Sequence, residues 1–140
     1  MLAAAYREAR YRVDAPAGSF ELRIGAPAPE LERLLVAVGC ERWAYLTAVN
    51  PASIRLEDEE NRRRLARLDA EIARRGWPVH PGAAVDPRGT WPDEPSRLVL
   101  GVDESAAREL ARRFGQNAFV AGERGDVPRL CWVDPGPEAP

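Results

Sequence analysis

Lysine is absent from this chain: all 20 basic residues are arginine, set against 22 acidic residues, one histidine, two cysteines and one methionine. The arginine bias runs over the whole length and accompanies heavy Ala, Gly and Pro usage. It therefore reads as nucleotide composition and not as selection for anion binding. A formal charge of −2 supplies no global field for nucleic acid or for an anionic membrane, so neither is an expected partner. The single histidine, His80, lies between Val79 and Pro81 and reads as a loop residue; a Ser-His-Asp or Cys-His device would have no other base. One histidine and two distant cysteines form no ligand cluster. An all-carboxylate site would need Asp86, Asp93 and Glu94, so no metal and no cofactor is expected. The phosphate-cradling loop is also missing, because Gly115-Gln116-Asn117 has neither the glycine spacing nor the lysine.

Long apolar runs are lacking too. No window approaches the ~18 apolar residues of a membrane span, and MLAAAYREARYRV has no signal-type apolar segment. The expected setting is cytoplasmic, with Cys40 and Cys131 as reduced thiols in apolar surroundings. What remains is ordinary globular material: 140 residues, 45% hydrophobic and 30% charged, expected to form one domain over residues 1–140 with a real core. Residues 1–10 read as a short helix, a first strand or a mobile tail. Residues 134–140 read as a frayed tail.

The stretch from Trp43 to Arg75 organises the rest. Both faces of Trp43–Val49 are apolar, the pattern of a strand covered on both sides. Asn50-Pro51 ends it, since proline cannot donate to a ladder. A long helix follows from about Asp58 to Arg75, with acidic residues at its start, arginines at its end and Leu65, Leu68 and Ile72 as its apolar stripe. Carried back, the stripe reaches Asn61 and Asp58, so the inner face begins polar. Upstream, Tyr11/Val13 and Phe20/Leu22/Ile24 flank turn residues 14–18 as a hairpin. Leu31, Leu34, Leu35 and Val38 make a helix that opens at Pro27-Ala28-Pro29 and stops at Gly39. Residues 77–96 read as an irregular loop with at most a short strand near Val79–Val85 and turns at Pro81-Gly82 and Pro87-Arg88-Gly89. After the strand Arg97–Val102, Asp103 caps a helix to Phe114, and residues 117–121 and 128–133 close the chain as a hairpin. The predicted fold is α+β: one central mixed sheet of about six strands with three helices packed on it.

Polar residues gather at the expected strand ends. Thr47 and Asn50 follow the central strand, Asn61 and Arg64 open its helix, Trp91, Glu94 and Ser96 precede the next strand, and Gln116 and Asn117 follow the third helix. Each has a structural reading. Asn50 can cap its turn, Asn61 can tie the helix start, Gln116 and Asn117 can satisfy helix-end carbonyls, and Trp91 can cover core. Together they outline a pocket for a small polar or anionic, nucleotide-like ligand, with Arg64 as the anion contact and Trp91 as a stacking lid. Carboxyl ends of strands favour this for the Asn50 group; the other two groups lead into strands and fit that rule less well.

At these residues the chain resembles the bacterial "domain of unknown function 3293" family, from about Trp43 to Trp132. The likeness rests on Tyr45–Pro51, on Glu59-Glu60-Asn61 with Arg64, on Pro81-Gly82, on Gly89–Glu94 and on Phe114–Val120. Pro95-Ser96 departs from the family, whose members often carry a second Glu or a Ser right after the equivalent of Glu94. The resemblance implies a small bacterial cytoplasmic protein and supplies no activity, substrate or cofactor. Two alternatives stand beside ligand binding. One is a hydrolase or transferase on a nucleotide-like substrate with Glu94 as general acid or base. The other is a protein-interaction, immunity or accessory module.

Overall fold

The computed structural model describes residues 2–134. Its elements follow the apolar spacing closely: α1 (Leu2–Glu8), β1 (Arg10–Ala15), β2 (Gly18–Leu22), α2 (Pro29–Val38), β3 (Arg42–Leu46), a 3-10 turn (Pro51–Ser53), α3 (Asp58–Arg75), β4 (Val79–Val85), β5 (Glu94–Leu100), α4 (Glu104–Arg113), β6 (Ala118–Glu123) and β7 (Arg129–Trp132). The α+β class holds, with differences in detail. The sheet has seven strands in the order β2-β1-β4-β5-β3-β6-β7, every pairing is antiparallel, and four helices pack on it. The sheet, expected to be mixed, is antiparallel throughout the described residues. The helical connections return the chain so that each strand runs opposite to its neighbours.

Two apolar layers sandwich the sheet. Ala44 and Leu46 of β3 meet Leu68 and Ile72 of α3 and Ala107, Leu110 and Ala111 of α4. Trp43 and Tyr45, on alternate positions, face Leu31 and Leu35 of α2 together with Tyr11 and Val13 of β1. Val38, expected on the buried face of α2, is instead 44% exposed, because the helix stops there at Gly39 in the left-handed conformation.

The short strand expected near Val79–Val85 is present as β4, and β5 starts at Glu94, earlier than the expected Arg97. β4 runs straight through Pro81-Gly82, which is therefore no turn. Its ladder with β1 ends at the Val13–Gly82 pair, so Pro81 lies beyond it and its missing N–H breaks nothing on that side. Gly82 is required by a close approach: the Tyr45 hydroxyl donates to the Arg12 carbonyl at 2.6 Å, and a Cβ on Gly82 would stand 1.9 Å from that same oxygen. The connection at residues 86–93 is organised by Asp86, whose carboxylate accepts from the Arg88 and Thr90 amides and from the Thr90 hydroxyl. Residues 135–140, most of the expected frayed tail, lie outside the described residues. No helix among those described is long and apolar enough to cross a membrane.

Candidate functional site

Antiparallel pairing decides where the polar residues meet. Leu46, the last residue of β3, pairs with Arg97 at the middle of β5, so the start of β5 runs on past the end of β3, and Tyr45 pairs with Val120 in the first half of β6. The end of β3 and the beginnings of β5 and β6 therefore share one edge. Thr47, Glu94 and Gln116 come together there although two of them lead into their strands. Thr47 seals the junction: its hydroxyl donates to the Pro95 carbonyl at 2.8 Å and accepts from the Val49 amide at 3.2 Å.

The segment after β3 is strained. Asn50, Ala52 and Ser53 have φ of 48°, 55° and 63°, a left-handed run that side-chain-bearing residues seldom adopt. Its hydrogen bonds hold it there. The Asn50 amide N–H donates to Asn61 Oδ1 at 3.0 Å, and Asn61 Nδ2 donates back to Asn50 Oδ1 at 2.8 Å. The same Asn50 oxygen accepts from the Leu56 amide at 2.9 Å. Asn50 Nδ2 is then left pointing at Glu94, to whose Oε2 it donates at 3.0 Å. From the other side, the Ala52 amide donates to the Gly115 carbonyl at 2.7 Å, and Gln116 Nε2 donates to the Val49 carbonyl at 3.0 Å.

Beneath this turn lies a cavity of about 250 Å3, closed on one side by the short helix α1. Its walls are Leu2, Ala5, Tyr6 and Ala9 from α1 and its end, Tyr11, Tyr45, Ala84 and Val120 from the sheet, and Trp91 from the β4–β5 connection. Polar groups enter from Thr47, Asn50, Ser53, Glu94, Ser96 and Gln116. The Tyr11 and Tyr45 rings meet edge to face at 5.3 Å, and the Tyr11 hydroxyl donates to the Tyr6 carbonyl at 2.6 Å, tying α1 down. Burial raises the pKa of the half-buried Glu94 carboxyl above its ordinary value, and the Asn50 hydrogen bond offsets that only in part. Burial, with Glu94 nearby, pushes the Tyr6 hydroxyl up to about 12, against the opposing hydrogen bonds of Ser53 and Asn117.

Of the residues singled out from the sequence, Thr47, Asn50, Trp91, Glu94, Ser96 and Gln116 line this cavity. Asn61 stands behind Asn50 and faces a separate outer hollow with Pro92 and Pro95. Asn117 donates to Ser53 Oγ at 3.2 Å and so fixes the rim. Arg64 does not reach the cavity. Its Nε donates to the Ala48 carbonyl at 2.6 Å and its Nη2 to the Phe114 carbonyl, a fork that clamps the strand end to the end of α4. An anion contact by Arg64 would require breaking that clamp.

Tyr6, Tyr11, Tyr45, Ser53 and Phe119 also line the cavity without having been singled out. The signal for the first was present: Leu2, Ala5, Tyr6 and Ala9 sit at helical spacing, obscured because alanine contributes little apolar contrast. Cys40 and Cys131 are free thiols belonging to opposite faces of the sheet. Among the described residues, no group of three or more His, Cys, Asp or Glu is placed to hold a metal ion.

Comparison with curated proteins and with solved structures finds no match. A family model does match, over residues 46–119, described as "Protein of unknown function (DUF3293)". Those residues hold the Asn50 turn, the start of α3, the Trp91–Glu94 segment and the Gln116–Asn117 pair, and they make up more than half of the chain. The chain belongs to this family.

Proposed function

We propose that the chain binds a small polar molecule, on the scale of a nucleobase or nucleoside, in the cavity over the shared edge of β3, β5 and β6. One observation carries this reading: a half-buried carboxylate, Glu94, is held by Asn50 inside a largely aromatic and apolar enclosure. Convergent polar groups in an apolar concavity, with a titratable group shifted by desolvation, are the usual marks of a binding site. At about 250 Å3 the cavity falls below the roughly 300–1,000 Å3 of drug-sized clefts, so it suits one or two rings. Trp91 and the tyrosines offer those rings flat, low-entropy partners. The setting we propose is cytoplasmic, in keeping with two free thiols.

A thermal-shift panel of nucleobases, nucleosides and small amines tests the proposal on the wild type and on Trp91→Ala. A binder should raise the wild-type midpoint in a concentration-dependent way and raise that of Trp91→Ala less. A panel without any ligand-dependent stabilisation would contradict it.

Catalysis is a second reading, favoured by the same carboxyl. Desolvation raises the pKa of Glu94, the tuning a general acid needs, so a hydrolase or transferase would use it to protonate a leaving group. Turnover of a panel binder, lost in Glu94→Gln while binding persists, would separate this reading from binding alone.

A further inference from the structure

Taking the cavity as the ligand site proposed above, we infer that its ligand presents a protonated or donor-rich nitrogen to Glu94: an amine, an amidine or an amino-substituted heterocycle. The first observation is the sign of the lining. In a chain with twenty arginines, neither an arginine nor His80 lines the cavity among the described residues, and its charged lining side chain is Glu94. An anionic ligand would meet a carboxylate there with no compensating cation.

The donor inventory is the second observation. Tyr11, Tyr45, Thr47, Ser96 and Gln116 each donate to a backbone carbonyl, and Asn50 Nδ2 donates to Glu94. A ligand that needs donors would have to break these bonds or turn to Tyr6, Ser53 and Trp91, whose neutral donors cannot compensate a ligand's negative charge beside Glu94. A ligand that brings donors finds a carboxylate already oriented by Asn50. The third observation is the walls. Tyr6, Tyr11, Tyr45 and Trp91 supply aromatic faces, whose quadrupoles attract a cation as well as stack on a ring. Removal from bulk water strengthens the ion pair further.

Three near-isosteric probes test the inference: benzylamine, benzyl alcohol and benzoate, titrated by ligand-observed NMR into the wild type, Glu94→Gln and Trp91→Ala. Benzylamine should bind the wild type at least about tenfold more tightly than benzoate, the scale of one charge-assisted contact. Glu94→Gln should bring the two within about twofold while leaving benzyl alcohol within about twofold of its wild-type affinity. Benzoate binding as well as benzylamine, or a charge preference unchanged in folded Glu94→Gln, overturns the inference. The wild-type comparison decides the matter even if Glu94→Gln does not fold. The two readings fail differently: preference for benzoate that is weakened by Trp91→Ala removes the charge inference and keeps the pocket, whereas no binding of any probe removes both.

Discussion

At Asn50 a single amide side chain closes three hydrogen bonds, to Leu56, Asn61 and Glu94, while its own backbone sits at φ 48°. Asparagine tolerates that conformation better than most residues, and alanine does not share the bonds that sustain it. Asn50→Ala should therefore lower unfolding stability by about 2–3 kcal/mol, read as a fall in the urea midpoint at unchanged slope. Arg64 is the second residue whose role is now concrete. Its guanidinium spans two carbonyls from separate elements, a reach that the point charge of lysine cannot reproduce. Arg64→Lys should cost about 1–3 kcal/mol by the same measurement, as two buried acceptors lose a shared partner.

Among the elements, the 3-10 turn and the end of α4 meet closely beside the site. Gly115 has φ 71°, and a Cβ there would stand 2.8 Å from Pro51 Cβ. Gly115→Ala should destabilise by about 1–3 kcal/mol through both the left-handed backbone and the displaced turn, with amide exchange rising first in residues 50–56. This level also shows what could be read from sequence. The apolar spacing of Leu65, Leu68 and Ile72 located α3, and Asp103 marked the start of α4, where its carboxylate accepts from Ala106. The strand partners were not legible, because pairing direction depends on returns between distant segments and leaves no local periodicity. For that reason Glu94 and Gln116 looked misplaced, and antiparallel pairing is what brings them beside Thr47. Arg64 was misjudged for a related reason: an arginine near a polar turn reads as an anion contact until the carbonyls of Ala48 and Phe114 are seen to take its donors.

Across the whole molecule, two carboxylates pull the pH dependence of stability in opposite directions. Glu71 is held at about 2 by hydrogen bonds from Arg74, Arg113 and Arg75, so its contribution is complete above the ordinary value of 4.5 and is lost as pH falls toward 2. Glu94 is raised, so its contribution is complete below the ordinary value and is lost as pH rises through its folded value. Glu94→Gln should therefore stabilise the protein at pH 7, with the gain vanishing in acid where the wild-type carboxyl is itself neutral. Thermal melts of both proteins at about pH 3.5 and pH 7 check the sign. Such a cost at neutral pH is what the proposed ligand role of Glu94 would require. The most direct measurement of that claim is a backbone amide map of the labelled protein on addition of benzylamine. The account predicts shifts concentrated at Thr47, Asn50, Trp91, Glu94 and Gln116 and along α1. Shifts confined to α2 or β7, or no shifts at millimolar probe, would contradict it.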